Sequence, residues 1–289
     1  MNIGEKIKNL RTSKLMTQKE LAGTAITRNM LSRIENGAAM PSLQTLIYIA
    51  ERLGVPAGYL LSDKDDNDNY YRKYVNYSNI IEAFRSGEWD ICRDLCRTCL
   101  SEKSDNELTY MFAYSSMQIG IAEFSEGRLH RAAVSFEEAA EYSAKTVFET
   151  DAMRSCMRSY RSIMARISLT LDFDIPENGK TNPYVCTNDV CRFERMLSGS
   201  EIPGTSKMPW ENPCYEYALN AMQLSEEKNY DAAISLYIHI CDDDTLPRPI
   251  IYLILGDYEK CCKEAGDYKD AYEISKNSTR LFEKMLADD

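Results

Sequence analysis

A chain of 289 residues with 34 Lys and Arg against 45 Asp and Glu has a formal net charge of −11, and its 44% apolar and 27% charged residues exclude wholesale disorder. The 13 glycines and 9 prolines are few for this length, which points to helices. The longest apolar run, Ile250–Leu255, is far short of the ~18 residues that cross a bilayer, and MNIGEKIKNL carries charges where a secretory signal needs an apolar stretch. The expectation is a cytoplasmic protein with no membrane partner, in roughly two domains at ~150 residues each.

Residues 1–62 hold eight basic and four acidic residues, a net charge of +4 that leaves −15 on the rest. A small basic module joined to a large acidic one fits a head that meets a polyanion. Within it, Ile3, Ile7 and Leu10 recur at helical spacing and predict a first helix ending near Ser13. Thr17-Gln18-Lys19-Glu20 reads as a capping box opening a short second helix that breaks at Gly23. Thr27 is placed to cap a third helix, Arg28 to Asn36, with Leu31 and Ile34 inward and Gly37 as its stop. Pro41-Ser42 opens a fourth, expected to bury Leu43, Leu46, Ala50 and Leu53, and a last turn holds Tyr59 and Leu60. Five short helices with a tight turn between the second and third describe a helix-turn-helix module.

The segments IGEKIKNLR, TQKELA, LSRIENG and PSLQTLIYIAERLGV, in that order, resemble the phage-repressor-like (Xre-type) helix-turn-helix domains over residues 3–61. The resemblance implies that the third helix enters the major groove of double-stranded DNA, with Arg28, Asn29, Ser32 and Arg33 outward. Arg suits the N7 and O6 acceptors of guanine, and Asn pairs bidentately with adenine. Gln18 and Thr27 would hold phosphates. Arg11 and Glu35 match a family ion pair and are assigned to the scaffold. The turn is one residue shorter than the commonest family pattern, with its glycine at Gly23.

Residues 63–73 read as an acidic linker. Its opening is like a calcium loop, but Asp68 and Tyr74 stand where that loop needs Gly and Glu, so no metal is expected. From residue 74 to 289 the apolar period is helical almost throughout. Aligning Gly87, Gly127, Lys228 and Gly266 brings Cys92, Ala132, Ala233 and Ala271 into one register. Cys96, Phe136, Tyr237 and Ser275 then share a second position, and Cys99, Ala139, Ile240 and Ser278 a third. This resembles the tetratricopeptide repeat and makes the Cys92-Cys96-Cys99 triplet packing, not a metal site. A helix near Val147–Leu171 belongs to an irregular repeat, and about 174–213 is a less regular insertion. Cys186 and Cys191 flank a polar turn and stay open as a metal or redox pair. The fold class expected is all-α, a five-helix head followed by a TPR-like α-solenoid.

Stacked helical hairpins present a groove suited to an extended peptide or a partner helix. Tyr77, Tyr114, Met117, Ile121 and Met222 fall near that groove or, equally, in the core. Arg154, Arg158 and Arg161 share a helix face, which reads either as a receiver for a ligand carboxylate or as a solvated stripe neutralised by Glu. An Xre-type head on such an array resembles the peptide-responsive transcription regulators of Gram-positive bacteria. That likeness implies a homodimer on a pseudo-palindromic operator, with half-sites ~34 Å or a multiple apart. A rival reading is an adaptor whose repeats only dimerise or hold a protein partner. Two scattered histidines and no glycine-rich phosphate loop argue against an enzyme, and no cofactor is expected.

Overall fold

The computed structural model describes residues 2–61, 67–100, 105–168, 173–175, 188–200, 209–241 and 245–287, without the side chains of 67–72. Ser62, residues 63–66 of the expected linker, Cys186 and most of the loops in the expected insertion lie outside the described residues. Every element described is an α-helix, and no strand occurs among the described residues. No helix among them is long and apolar enough to cross a membrane. Contacts divide the chain into two units: Met1–Gly87 with Asp94–Lys103, and Glu88–Arg93 with Ser104–Asp289.

The first unit begins with α1 (Ile3–Ser13), α2 (Gln18–Ala22), α3 (Arg28–Glu35), α4 (Leu43–Leu53) and α5 (Ala57–Leu61). Ser, Thr and Asn open four of them, because a side-chain oxygen at that position satisfies an otherwise orphaned N–H. Asn2 caps α1, Thr17 caps α2, Thr27 caps α3 and Ser42 caps α4, each accepting from the N–H three residues on. Gly54 ends α4 in the left-handed conformation. The core these helices close is Ile7, Leu21, Leu31, Ile49, Leu53 and Leu60, all at 0% exposure. Burying each such side chain stabilises the head by ~1.5–3 kcal/mol.

Two expectations need correcting here. Leu43 is 68% exposed, and α4 buries Leu46, Ile49, Ala50 and Leu53 instead. Side chains lean toward a helix's N-terminus, so a residue in the first turn projects beyond the last layer of packing. Lys6, one of the eight basic residues, is 1% exposed and its Nζ donates to the Tyr59 carbonyl at 3.3 Å. Its charge is therefore absent from the surface.

The same unit continues through α6 (Asn67–Ser86), so residues 67–73 of the expected linker are helical. α6 packs on α5, and α7 (Trp89–Cys99) follows it across the division between the units. In the second unit α8 (Asn106–Ser125) pairs with α9 (Leu129–Ser143), and α10 (Asp151–Ile167) with α11 (Asp189–Leu197). α12 (Cys214–Glu226) pairs with α13 (Tyr230–Cys241), and α14 (Arg248–Ala265) with α15 (Tyr268–Ala287).

The aligned positions fall where the repeat predicts. Gly87, Gly127, Lys228 and Gly266 all have positive φ, between 63° and 86°, at the turn between two consecutive helices. Ala132, Ala233 and Ala271 are buried three residues into the second helices, and Phe136 and Tyr237 follow at 0% exposure. Gly120 shows why small residues recur, since a Cβ there would stand 2.8 Å from the Phe136 ring. α15 relaxes the pattern with half-buried Ser275 and Ser278, as a terminal repeat facing water on one side can. The array is all-α and TPR-like. It also curls, for α14 packs on α8 and α10 as well as on its neighbours in sequence.

Candidate nucleic-acid interface

The interface is built from α2, the turn after it, and α3. Thr17 and Glu20 form a reciprocal capping box: the Thr17 N–H donates to Glu20 Oε2 at 2.6 Å, and the Glu20 N–H donates to Thr17 Oγ1 at 3.2 Å. The first of these bonds holds the Glu20 carboxyl below the usual carboxylate range. Gly23 then turns the chain at φ 54°, ψ −131°, where a Cβ would stand 2.3 Å from the Tyr48 hydroxyl. That hydroxyl donates to the Ala22 carbonyl at 3.1 Å, and Arg52 Nη2 donates to the Glu20 carbonyl at 2.6 Å. The short turn is thus held by two side chains of α4, and the displaced glycine is what lets Tyr48 approach.

α3 starts at Thr27, whose Oγ1 accepts from the Met30 N–H at 3.1 Å. Leu31, Ile34 and Glu35 face inward, at 0%, 1% and 3% exposure. The far end is pinned by α1, where a Cβ on Gly4 would stand 2.1 Å from the Ile34 carbonyl oxygen. It is also pinned by charge. Arg11 Nε and Nη2 donate to Glu35 Oε1 and Oε2 at 2.6 and 3.1 Å, and Arg11 Nη1 donates to the Met16 carbonyl at 2.8 Å. The hydrogen bond to Glu35 raises the guanidinium above its ordinary value. A two-pronged, part-buried pair of this kind fixes orientation as well as distance.

Against that scaffold the predicted contact residues can be placed one by one. Thr27, Arg28, Asn29 and Arg33 are exposed, and Ser32 is half-buried. Gln18 is half-buried, and its Nε2 donates to Glu35 Oε2 at 2.8 Å, so its amide joins the Arg11–Glu35 pair. Sequence reasoning passed over Met30, which is 37% exposed among the outward residues of α3. A methionine reads as core until the helix is placed.

Residues 7–60 match the helix-turn-helix family. The head is a helix-turn-helix domain. No curated protein matches the chain. Two solved structures are similar along 99% of this chain and 96% of theirs. One is PlcR of Bacillus thuringiensis in complex with the peptide PapR7 and DNA, at 15% identity and a TM-score of 0.26. The other is the apo form of the competence regulator ComR from Streptococcus vestibularis, at 18% identity and a TM-score of 0.20.

Outside the helix-turn-helix domain, the residues expected to line a peptide groove are distributed as follows. Tyr77 is 37% exposed, with Lys73 Nζ 5.6 Å from its ring. Met117 lies in the core at 4% exposure, and Ile121 and Met222 pack against that core half-buried. Arg154 is 6% exposed with Nη2 on Asp151, while Arg158 and Arg161 are half-buried. Tyr114 belongs to an aromatic row, edge-on to Trp89 at 5.5 Å and stacked on Tyr110 at 6.3 Å. Tyr110 in turn meets Phe148 edge-on at 5.8 Å. Cys191 is buried with its Sγ 3.7 Å from Cys156 Sγ, and no cluster of three metal-ligating side chains exists among the described residues.

Proposed function

We propose that the chain is a sequence-specific DNA-binding transcription regulator that acts as a cytoplasmic homodimer on a pseudo-palindromic operator. The observation that carries this reading is the leading end of α3, where Thr27, Arg28 and Asn29 stand exposed on a helix locked from behind by Arg11–Glu35. Rigid backing holds base-reading side chains at a fixed register, and Arg and Asn are the two residues suited to guanine and adenine edges. Thr27 would hold a phosphate at the helix start, and Ser32 and Arg33 would continue the groove-facing side of α3. Gln18 contributes by stiffening the Arg11–Glu35 pair.

In this reading the helical array binds a regulatory peptide or a protein partner. The row Trp89, Tyr114, Tyr110 and Phe148 supports it, as aromatic faces only partly covered by the fold suit an extended apolar segment. Selection of bound fragments from random duplex DNA, followed by anisotropy titrations at several salt concentrations, tests the reading. A regulator yields one enriched motif and a log affinity that falls linearly with log salt, with a slope of ~0.9 per phosphate contacted. No enriched motif would leave an adaptor. Repeating the selection with a broad peptide pool tests the ligand, and an unchanged motif and affinity would count against it.

A further inference from the structure

The second unit contains a cleft of about 530 Å³ that none of the expected groove residues lines. Its polar wall is Asp189 at the start of α11, Glu211 and Asn212 just before α12, and Asn188. Its aromatic wall is Tyr160 and Tyr215, at 1% and 3% exposure. Asp189 Oδ2 accepts from the Asn212 N–H at 2.7 Å. Neither Asp189 nor Glu211 has a cationic partner among the described residues. Asn188 Nδ2 donates to the Tyr160 hydroxyl at 2.9 Å, and its Oδ1 is occupied by the Cys191 N–H. The Tyr215 hydroxyl is different. It belongs to a side chain 97% buried and makes no hydrogen bond among the described residues. Burial, followed by the charge of Asp189, pushes its ionisation far upward, so it stays a neutral phenol.

Three acceptors, the half-buried Asp189, the exposed Glu211 and the Tyr215 hydroxyl, thus line one cleft beside two aromatic faces, with no cation among the described residues paired to either carboxylate. We propose that this cleft is a binding site for an organic ammonium group. An ammonium has three donors and no acceptor, matching the acceptors of Asp189, Glu211 and Tyr215, and aromatic rings favour a cation with part of its water removed. The volume lies in the ~300–1,000 Å³ range of small-ligand clefts, leaving room for an alkyl chain behind the charge. The same chemistry is offered by a free diamine and by a lysine side chain of a peptide. The inference stands apart from the DNA reading, since it uses no residue of the head.

The test is calorimetric titration of the full chain with putrescine and, separately, with the capped tripeptide Gly-Lys-Gly, at constant ionic strength. The expected result is one site for at least one probe, and the tighter probe identifies the source. Asp189→Asn and Glu211→Gln should each weaken binding about tenfold, and Tyr215→Phe several-fold. Asp189→Asn keeps an oxygen for the Asn212 N–H. Emission from Trp210, which stacks on Tyr215 at 5.8 Å, checks that each variant is folded. Glu137→Gln with Glu283→Gln removes two exposed carboxylates elsewhere and should leave binding unchanged. The proposal is overturned if neither probe binds below about 10 mM, if folded cleft variants bind as wild type does, or if the distant pair weakens binding equally.

Discussion

Arg248 Nη1 donates to the backbone carbonyl of Glu126 at 2.7 Å, joining residues 122 positions apart. The contact fastens the turn between α8 and α9 to the start of α14. At the next residue of that turn, a Cβ on Gly127 would stand 2.7 Å from Met285 Cγ, and Met285 is 1% exposed. A linear array of hairpins touches only its neighbours, so unfolding can begin at its end. Here the terminal hairpin is tied back to α8–α9, which should make the second unit unfold as one body.

Gly127 is the sharpest probe of that tie. Its φ of 81° disfavours any side chain by ~1–2 kcal/mol, and crowding Met285 adds ~1–3 kcal/mol. Gly127→Ala should therefore cost ~2–5 kcal/mol in urea denaturation. Gly266→Ala has the same kind of φ, 86°, but open space around it, and should lose only the backbone part. Equal losses for the two variants would mean that the contact with Met285 has no energetic weight.

Lys228 offers the reverse experiment. It occupies the position held by glycine in the three other aligned turns, at φ 63°. A left-handed lysine is disfavoured by ~1–2 kcal/mol, while glycine gives back ~0.5–1 kcal/mol through its freer unfolded chain. Lys228→Gly should thus stabilise the protein by roughly 0.5–1 kcal/mol, read as a higher denaturation midpoint at unchanged slope. A lower midpoint would show that the lysine side chain contributes more than its backbone costs.

Lys228 also marks where sequence reasoning works. The four turns align because a helix must stop there and another begin, and that requirement is written in local residue types even when one is not glycine. The caps at Thr17 and Thr27 were legible for the same reason, as each involves a bond spanning three residues. What stayed hidden depends on distant chain segments. Nothing near Arg248 announces Glu126, and nothing in Lys6 announces that its ammonium group would sit on the Tyr59 carbonyl. Arg11 and Glu35 were paired by family resemblance, not by spacing, while the capture of Gln18 by that pair needed coordinates. The ammonium cleft gathers Tyr160, Asp189, Glu211 and Tyr215 from separate segments, so no single motif contains it.

The head allows stability and recognition to be separated. Glu35 is buried and receives Arg11 and Gln18, so Glu35→Ala leaves a part-buried guanidinium without its partner and should cost ~3–5 kcal/mol of folding free energy. Arg28→Ala and Asn29→Ala touch only exposed side chains, and each should leave the melting temperature within about a degree or two. Each should weaken binding to the selected operator by ~1–3 kcal/mol and relax base preference at one position. Operator selectivity that survives both exposed changes would remove α3 from the recognition role.

Acidity gives an independent handle on the second unit. Asp257 on α14 has its pKa raised above the usual aspartate value, first by burial and then, more weakly, by Glu226, with Lys260 and Arg166 pulling the other way. A carboxyl whose folded pKa exceeds its unfolded one binds its proton more tightly in the native state. Its contribution to stability is therefore greatest below the ordinary aspartate range and is lost as pH rises through the raised native value. Asp257→Asn removes the charge that burial disfavours, so the variant should melt above wild type at pH 7. The advantage should shrink steadily as the pH is lowered toward ~4. Thermal melts of both proteins across that range decide the matter: a gap that stays constant with pH would assign the difference to packing and not to a disfavoured charge.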